Sequence, residues 1–466
     1  MFYKEFLQKM LNLRKLFQNK RSPKVVLVLV MLVFTVFTFY LAFNLKMGIS
    51  PDSYYHLEVS QVYSETLGIP ENTPDTYKWR DITRIPYLSL WINGRILNLN
   101  ETTFNFDEVF LLRITNIFAA LGTLVFVYLT SKRLIKNKWG QILPVFLLSN
   151  TLMFVFLSSS INYDNLTIFL CSSAIYFLVR FLQNPNRLKY SLLMWVFLLL
   201  ASLTKEMILP LALILVLIWF VVLFRRKILR KELFEQFKRI IPLFLLLTTI
   251  ILVVLNLRLY GRNVLEYGKL VPKCTDILTH EQCLENGVYY RDIYKTPVVF
   301  EGNITEAFQL VLDGKRLGPV RYIPFWIVEM SRKIFGIMGD RPLFMRYEYL
   351  AFYFIYFFIG VFLIIKNRKK LRVEDKALIT ILLFYTLVLI YYHNYKTYIK
   401  HDWKDLALQG RYIFHVLAPM YIVFSKYLLQ IKNKKLLRIL IGILTVGFSL
   451  GSIGYFFAYV PNDWFM

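Results

Sequence analysis

Charged residues are scarce in this 466-residue chain: they make up 18% of it, whereas hydrophobic residues make up 57%. So few charges argue against a set of soluble domains of this total length. Apolar runs of ~17–25 residues recur between residues 25 and 459, and each is long enough to cross a hydrocarbon core of ~30 Å. The sequence therefore predicts an all-α integral membrane protein that forms a single multispanning domain over residues 1–466.

The motifs of several soluble enzyme classes are absent. The chain has no glycine-rich phosphate loop, no metal-spaced set of cysteines and histidines, and no recognisable Ser-His-Asp pattern. Its three cysteines are too few for a disulfide framework. Cys171 is predicted to pack within a span. Cys274 and Cys283 fall in an external loop, where a disulfide is chemically permitted, and the sequence leaves that pairing open.

Acidic residues are also few, 30 against 56 Lys and Arg, so the formal net charge is +26. We predict eleven spans, and alternate connections between them then lie on opposite sides of the membrane: 25–44, 109–130, 139–158, 164–182, 188–204, 207–224, 240–259, 347–365, 377–395, 411–430 and 437–459. One side collects 32 Lys and Arg against 5 Asp and Glu, including the run Arg225-Arg226-Lys227, and the other collects 24 against 25. This is the positive-inside distribution, so the excess charge indicates topology and not a nucleic-acid partner.

The same distribution predicts a cytoplasmic N-terminus and an external C-terminus. The first apolar run follows about 24 residues that include seven Lys and Arg, and it is long enough to remain in the membrane, so we expect a signal anchor. A composition rich in Phe, Tyr, Ile and Lys is typical of bacterial membrane proteins. The expected location is therefore the bacterial plasma membrane.

Two external connections are long, 45–108 and 260–346, and function is expected there. In the first of them, Ser50 before Pro51 predicts a juxtamembrane helix that begins at this pair and ends near Gly68. Asp52 would lie in the first turn, where free amides favour its ionised form, which suits a base or a metal ligand. His56 would lie one turn further on the same face. Both residues are also explained by capping and packing alone.

A second carboxylate, Asp164, is predicted at the external start of the fourth span. It is readily explained as a helix cap. Because Asp164 and Asp52 are expected at the same membrane surface, they also form a candidate pair for acid-base or metal chemistry.

Apolar residues run from 191 to 224 with only Lys205 and Glu206 between them. A single helix of this length would extend ~51 Å, too long for a bilayer, so a break is predicted at these two residues. A charge recessed from the surface costs ~2.5–3.5 kcal/mol or more unless it has a partner. The partner of Lys205 is expected to be either Glu206 or an anionic ligand such as a lipid phosphate.

The fourth cluster of polar residues is Gln409-Gly410-Arg411-Tyr412, at the external start of the tenth span. Arginine suits bidentate recognition of phosphate, and a helix N-terminus adds its own amides. Arg84, in the first external loop, is a further basic candidate. Either arginine is also explained as an interfacial anchor.

At these residues the chain resembles the GT-C superfamily of membrane glycosyltransferases, and more closely a bacterial multispanning family of unknown function within it. Four segments carry the resemblance: Ser50 to His56, Asn162-Tyr163-Asp164, Thr204-Lys205-Glu206 and Gln409 to Tyr412. Phe335-Gly336-Ile337-Met338-Gly339-Asp340 is a weaker fifth. The resemblance implies transfer of a hexose or pentose from a polyprenyl-phosphate carrier to a glycan, lipid or protein acceptor on the external face.

By that resemblance Asp52 and Asp164 are the catalytic carboxylates. Lys205 and Arg411 hold the carrier phosphate with help from Arg84, and His56, Glu206, Gln409 and Tyr412 complete the substrate site. The Asp-x-Asp form of several GT-C families is missing, since Ser53 and Tyr54 follow Asp52. The use of a divalent metal is therefore left open, with Asp52 as its contact if one is bound.

The chemistry agrees with this assignment, because an inverting transfer needs a base for the acceptor hydroxyl and cations for the departing phosphate. Two other functions are compatible with the sequence. One is a transporter or flippase of lipid-linked sugars, although such proteins concentrate charge near the bilayer midplane. The other is a polysaccharide polymerase or ligase that uses diphosphate-linked donors.

Overall fold

The computed structural model describes residues 22–79, 81–225 and 240–466, and in these ranges it is helical, without a β-strand. The N-terminal 21 residues and most of the basic run after Arg225 lie outside the described residues. The first ten α-helices are α1 (Ser22–Asn44), α2 (Ser53–Ser64), α3 (Leu88–Thr103), α4 (Glu108–Leu134), α5 (Leu143–Ser149), α6 (Leu152–Ser158), α7 (Asp164–Gln183), α8 (Leu188–Ser202), α9 (Leu209–Arg225) and α10 (Ile240–Asn256).

The remaining helices begin in the second long loop. They are α11 (Arg262–Tyr267), α12 (Cys274–Ile277), α13 (His280–Leu284), α14 (Gly287–Tyr294), α15 (Ile304–Leu312), α16 (Pro319–Phe335), α17 (Tyr347–Lys366), α18 (Val373–Val388), α19 (Lys396–His401), α20 (Phe414–Leu428), α21 (Lys434–Ser449) and α22 (Tyr455–Tyr459). Short π-helical turns join α10 to α11, α18 to α19 and α21 to α22.

The chain is a multispanning membrane protein. In the described ranges, seven apolar helical stretches are long enough to cross a membrane: α1, α4, α7, α9 with its preceding turn, α10 continued to Tyr267, α17, and α21 continued to Tyr459. The four other predicted spans coincide with shorter or interrupted helices. The span predicted at 139–158 is divided into α5 and α6, with Asn150 and Thr151 between them. The number eleven stays a prediction.

The break predicted at Lys205 is confirmed. Helix α8 ends at Ser202, a 3-10 turn covers Glu206–Ile208, and α9 begins at Leu209 with Pro210 in its first turn. Proline is tolerated there because the first amides of a helix have no intrahelical acceptor. The chain therefore turns where the apolar run is longest, and Lys205 lies at the turn.

Juxtamembrane helices are present in the first long loop, as expected, but the first of them begins later than predicted. Asp52 is not in the first turn of a helix that starts at Pro51: it precedes α2, which runs from Ser53 to Ser64. In the second long loop, a disulfide joins Cys274 to Cys283, so the pairing that the sequence left open is formed.

Connections predicted to share a side of the membrane contact one another. On the side predicted to be external, Lys46 N donates to Trp464 O at 2.9 Å, and Asn263 Nδ2 donates to Arg84 O at 3.0 Å. On the opposite side, Arg372 donates to Leu134 O at 3.1 Å. These contacts agree with the predicted assignment of the connections to two sides.

A buried ion pair secures the side predicted to be cytoplasmic. Asp375 is fully buried at the start of α18, and Lys426 Nζ of α20 lies 2.6 Å from its Oδ2, to which the Tyr427 hydroxyl also donates. Removing one partner of such a pair leaves an uncompensated buried charge.

We expect Asp375→Asn to destabilise the protein by about 3–5 kcal/mol, because it strands the Lys426 ammonium. Thermal unfolding in detergent measures the change. Glu374→Gln is the matched control, since this neighbouring carboxylate comes no closer than 4.0 Å to its partner Arg372. Equal melting temperatures for the two variants would contradict the expectation.

Candidate active site

Four charged residues that are distant in sequence meet at the predicted external side. Lys205 Nζ lies 2.5 Å from Asp164 Oδ1, and Arg411 Nη1 lies 3.5 Å from the other oxygen of Asp164. Arg411 Nη2 also donates to Asp52 Oδ2 at 2.6 Å. The result is one continuous series of ion pairs, Lys205 to Asp164 to Arg411 to Asp52, which we call the charge cluster.

Burial differs along the charge cluster. The side chains of Asp164 and Lys205 are 0% and 2% exposed, whereas that of Asp52 is 46% exposed. Two cations balance two carboxylates, which is what burial of charge requires. The cluster thus has an inner part closed by protein and an outer carboxylate that reaches solvent.

Two expectations about partners are corrected by this geometry. Lys205 pairs with Asp164 across 41 residues of sequence and not with the adjacent Glu206. Asp164 does not serve mainly as a cap either: the Asn162 side chain accepts from the amide of Asn165 at 3.1 Å and takes that task. The Asp164 carboxylate is thereby available to both cations.

Aromatic and amide groups surround the two cations. Lys205 Nζ lies 4.5 Å from the centre of the Tyr163 ring and 4.9 Å from that of Tyr412, within cation-π range. The Gln409 side-chain oxygen accepts from Arg411 Nε at 2.6 Å. Gln409 therefore orients the Arg411 guanidinium, and Tyr412 helps to orient the Lys205 ammonium.

The backbone at Asp52 is unusual. Its φ of 58° and ψ of 16° lie in the left-handed region, which costs a residue with a side chain ~1–3 kcal/mol. Hydrogen bonds from flanking serines fix this turn: Ser50 Oγ donates to Ser160 Oγ at 2.8 Å, and Ser53 Oγ donates to Ile161 O at 3.4 Å. The strained turn directs the carboxylate to Arg411 instead of to the free amides of α2.

Protonation states follow from these surroundings. Burial on its own would raise the pKa of Asp52, but the positive charge of Arg411 and its hydrogen bond outweigh it, and the net pKa lies below its usual value. Burial lowers the pKa of His56 to about 4, so its ring is neutral at neutral pH. His56 Nε2 has no hydrogen-bond partner among the described residues, and its ring packs edge-on against Tyr163.

Helix α16 and the turn after it support the charge cluster from the second long loop. A Cβ at Gly410 would overlap the carbonyl oxygen of Lys333, so only glycine lets the backbone next to Arg411 lie against α16. A Cβ at Gly339 would lie 2.5 Å from the carbonyl oxygen of Ile49, just before the Asp52 turn. One helix end thus positions two separate segments of the site.

Arg84 lies elsewhere. Its guanidinium pairs with Glu266 at 2.7 Å and, with Arg258 and Arg262, lines a separate cavity of about 360 Å³ at the end of the α10 span that is predicted to be external. We call this the arginine pocket. Glu206 lies near the charge cluster, where its charge acts on Lys205 and Tyr412.

The sequence did not reveal Arg258 and Arg262 as site residues, and it gave no role to Asp340. A signal for the arginines was present, because basic residues at the external end of a span run against the positive-inside trend. Asp340 lies in the weaker fifth segment of the resemblance, but its role could not be read there, because only the fold brings its charge within reach of Asp52 and Arg411.

The residues of the charge cluster do not fit a metal ion. In the described parts of the chain, no group of three or more His, Cys, Asp or Glu side chains is arranged to hold one. The Asp52 carboxylate, which the resemblance gave as a metal contact, is paired with a guanidinium instead. We derive no chemical step through a metal.

Comparison with known families bears on the central part of the chain. Residues 88–257 match the model of the dolichyl-phosphate-mannose-protein mannosyltransferase family. The resemblance to the GT-C superfamily is confirmed. The matched segment runs from α3 to the end of α10, and it includes Asp164, Lys205 and Glu206. Asp52 and Arg411 of the charge cluster lie outside it.

Solved structures similar to this GT-C-like fold include ArnT from Cupriavidus metallidurans bound to undecaprenyl phosphate, at 13% identity and a TM-score of 0.48, covering 91% of this chain and 63% of that one. The oligosaccharyltransferase of Archaeoglobus fulgidus in its apo form has 14% identity and a TM-score of 0.49, covering 94% and 55%. The chain spans less than two thirds of the length of either. No curated protein shows a significant sequence match.

We expect Gly410→Ala to lower stability by about 1–3 kcal/mol, because the added methyl group must displace either α16 or the Arg411 turn. Thermal unfolding measures it. Gly442→Ala is the matched control: a Cβ at this helical position meets nothing within 4 Å, and alanine is the better helix former. If Gly410→Ala unfolds no earlier than Gly442→Ala, the close approach to α16 is not required.

Proposed function

We propose that the protein is a membrane glycosyltransferase that moves a sugar from a polyprenyl-phosphate carrier to a glycan, lipid or protein acceptor on the external face of a bacterial plasma membrane. The observation that carries this proposal is the charge cluster, in which buried cations adjoin a solvent-exposed carboxylate. In this proposal the N-terminus is cytoplasmic, and the C-terminus and the active site are external.

The chemistry requires three tasks. A carboxylate at the solvent-exposed end of the charge cluster takes the proton of the acceptor hydroxyl, and the acceptor oxygen attacks the anomeric carbon. The bond between the anomeric carbon and the phosphate oxygen breaks, and its electron pair moves to the phosphate. Lys205 and Arg411 stabilise the negative charge that develops there. Asp164 is closed off from solvent and holds both cations in place, so of the two predicted carboxylates only Asp52 is accessible to an acceptor.

An apolar cavity adjoining the charge cluster suits the polyprenyl chain. It measures about 430 Å³ and lies between α16, α17, α18 and α20. Ile413, two residues after Arg411, forms part of its wall, together with Trp326, Met330, Tyr353 and Phe357. Through Ile413, an isoprenoid tail in this cavity would contact the turn that carries Arg411.

The arginine pocket is a second candidate site for the carrier phosphate. Its wall from α10 to α11 consists of Leu255, Arg258, Leu259 and Arg262, which recur at helical spacing on one face. Leucines and arginines alternate along this face, so the wall offers both apolar surface and positive charge. In this arrangement Arg84 contributes to phosphate binding from the arginine pocket and not from the charge cluster.

The test of the proposed function is release of polyprenyl phosphate from a panel of polyprenyl-phospho-sugars by the protein in lipid nanodiscs. We expect Asp52→Asn and Lys205→Ala each to lower the release rate by ~10²-fold or more, through loss of transition-state stabilisation. Asp463→Asn is the control, since among the described residues this exposed carboxylate pairs with Arg341 alone. Release that persists in both site variants would remove the charge cluster from the mechanism, and flux of unhydrolysed carrier across sealed vesicles would favour a transporter.

For the arginine pocket we expect Arg258→Gln to raise the KM for the donor about tenfold with little change in kcat, because a charge-assisted hydrogen bond to phosphate contributes ~1.5–3 kcal/mol to binding. Steady-state kinetics separate the two constants. Arg321→Gln, which changes an exposed arginine of α16 outside both cavities, is the matched control. An unchanged KM in Arg258→Gln leaves the carrier phosphate at the charge cluster alone.

A further inference from the structure

Asp340 lies at a turn that the fold presses against the Asp52 segment. Backbone hydrogen bonds of 2.7 and 2.9 Å between Ile337 and Leu343 close this turn. Met338 N donates to the sulfur of Met153 at 3.3 Å, which fixes the turn to α6. Gly339, one residue before Asp340, packs against Ile49 so closely that a Cβ is excluded. The position of Asp340 is therefore set by rigid neighbours on both sides.

The Asp340 carboxylate differs from Asp52 in its partners. One oxygen of Asp52 accepts a hydrogen bond from the Arg411 guanidinium at 2.6 Å, which holds this carboxylate against a cation. Asp340 is exposed and forms neither a hydrogen bond nor an ion pair with the described residues. The charged groups that act on it are Asp52 and Arg411, from the first loop and from the turn before α20.

These surroundings separate the two carboxylates in acidity. The surrounding protein and the negative charge of Asp52 raise the pKa of Asp340 to about 6, and Arg411 opposes the rise only in part. Asp52 shifts in the opposite direction. A base is most effective when its pKa lies near the working pH, because it is then both ionised and strongly proton-accepting. Asp340 meets this condition and Asp52 does not.

We propose that Asp340 is the general base of the transfer and that Asp52 is a positioning residue that orients Arg411. This inference rests on the proposed function, whose donor and leaving group it keeps. The acceptor O–H proton moves to an Asp340 oxygen as the acceptor oxygen bonds to the anomeric carbon, and the phosphate leaves with the electron pair of the broken C–O bond. The proton then passes from Asp340 to solvent, to which its side chain is exposed.

The first test compares pH profiles of polyprenyl-phosphate release. The wild-type kcat/KM is expected to rise with pH through a midpoint near 6 and then to level off, since the base acts when ionised. Asp340→Asn should lose ~10²-fold or more and lack this rise, with partial rescue in Asp340→Glu. Asp52→Asn should keep the rise but at lower pH, because the charge that raises the pKa of Asp340 is gone. Asp463→Asn should match the wild type.

The second test needs no turnover. Carbodiimide modifies protonated carboxyl groups, so its labelling of Asp340, followed by peptide mass spectrometry across pH, should show a midpoint near 6 that falls in Asp52→Asn. Thermal unfolding verifies that each variant is folded. The assignment would be overturned if folded Asp340→Asn kept the wild-type rate and pH profile. It would also be overturned if the labelling midpoint of Asp340 were the same in the wild type and in Asp52→Asn. Absence of release by the wild type from every donor would instead refute the proposed function, with the labelling result unaffected.

Discussion

The site depends on the bond between Lys205 and Asp164. A helical break inside the longest apolar run brings an ammonium group into a place with almost no water, and only a carboxylate from another helix makes that placement tolerable. Once the pair is formed, the second oxygen of Asp164 is available to Arg411, and Arg411 in turn holds Asp52. Each ion pair thus leaves one charged atom free to form the next ion pair in the cluster.

The two long loops and the turn before α20 form the outer part of the site through backbone contacts. Gly410 against Lys333 and Gly339 against Ile49 bring three segments of chain within van der Waals distance of each other. Side chains at either glycine would separate the segments that carry Arg411 and Asp340 from their supports. The end of α16 and the turn after it therefore position both the Arg411 segment and the Asp52 segment. The inner pair, Lys205 and Asp164, is instead held by the ends of the span helices.

Sequence alone predicted the class of fold and the break at Lys205, because both follow from the length of apolar runs and the cost of charge in a membrane. It also selected all four members of the charge cluster. It left the partner of Lys205 open between the adjacent Glu206 and an anionic ligand, because pairing with Asp164 across 41 residues leaves no local pattern. It placed Asp52 inside a helix, because Ser-Pro favours a helix start and the left-handed turn at Asp52 depends on serine contacts to a distant segment. Asp340 and the arginine pocket depend on tertiary contacts between loops, which no spacing reveals.

The order of these residues along the chain has a consequence for biogenesis. Asp164 and Lys205 are 41 residues apart, so both enter the membrane within a short interval of synthesis and can neutralise each other while the rest of the protein is still on the ribosome. Asp52 and Arg411 are separated by 359 residues. The outer half of the site therefore stays incomplete until nearly all spans have been inserted.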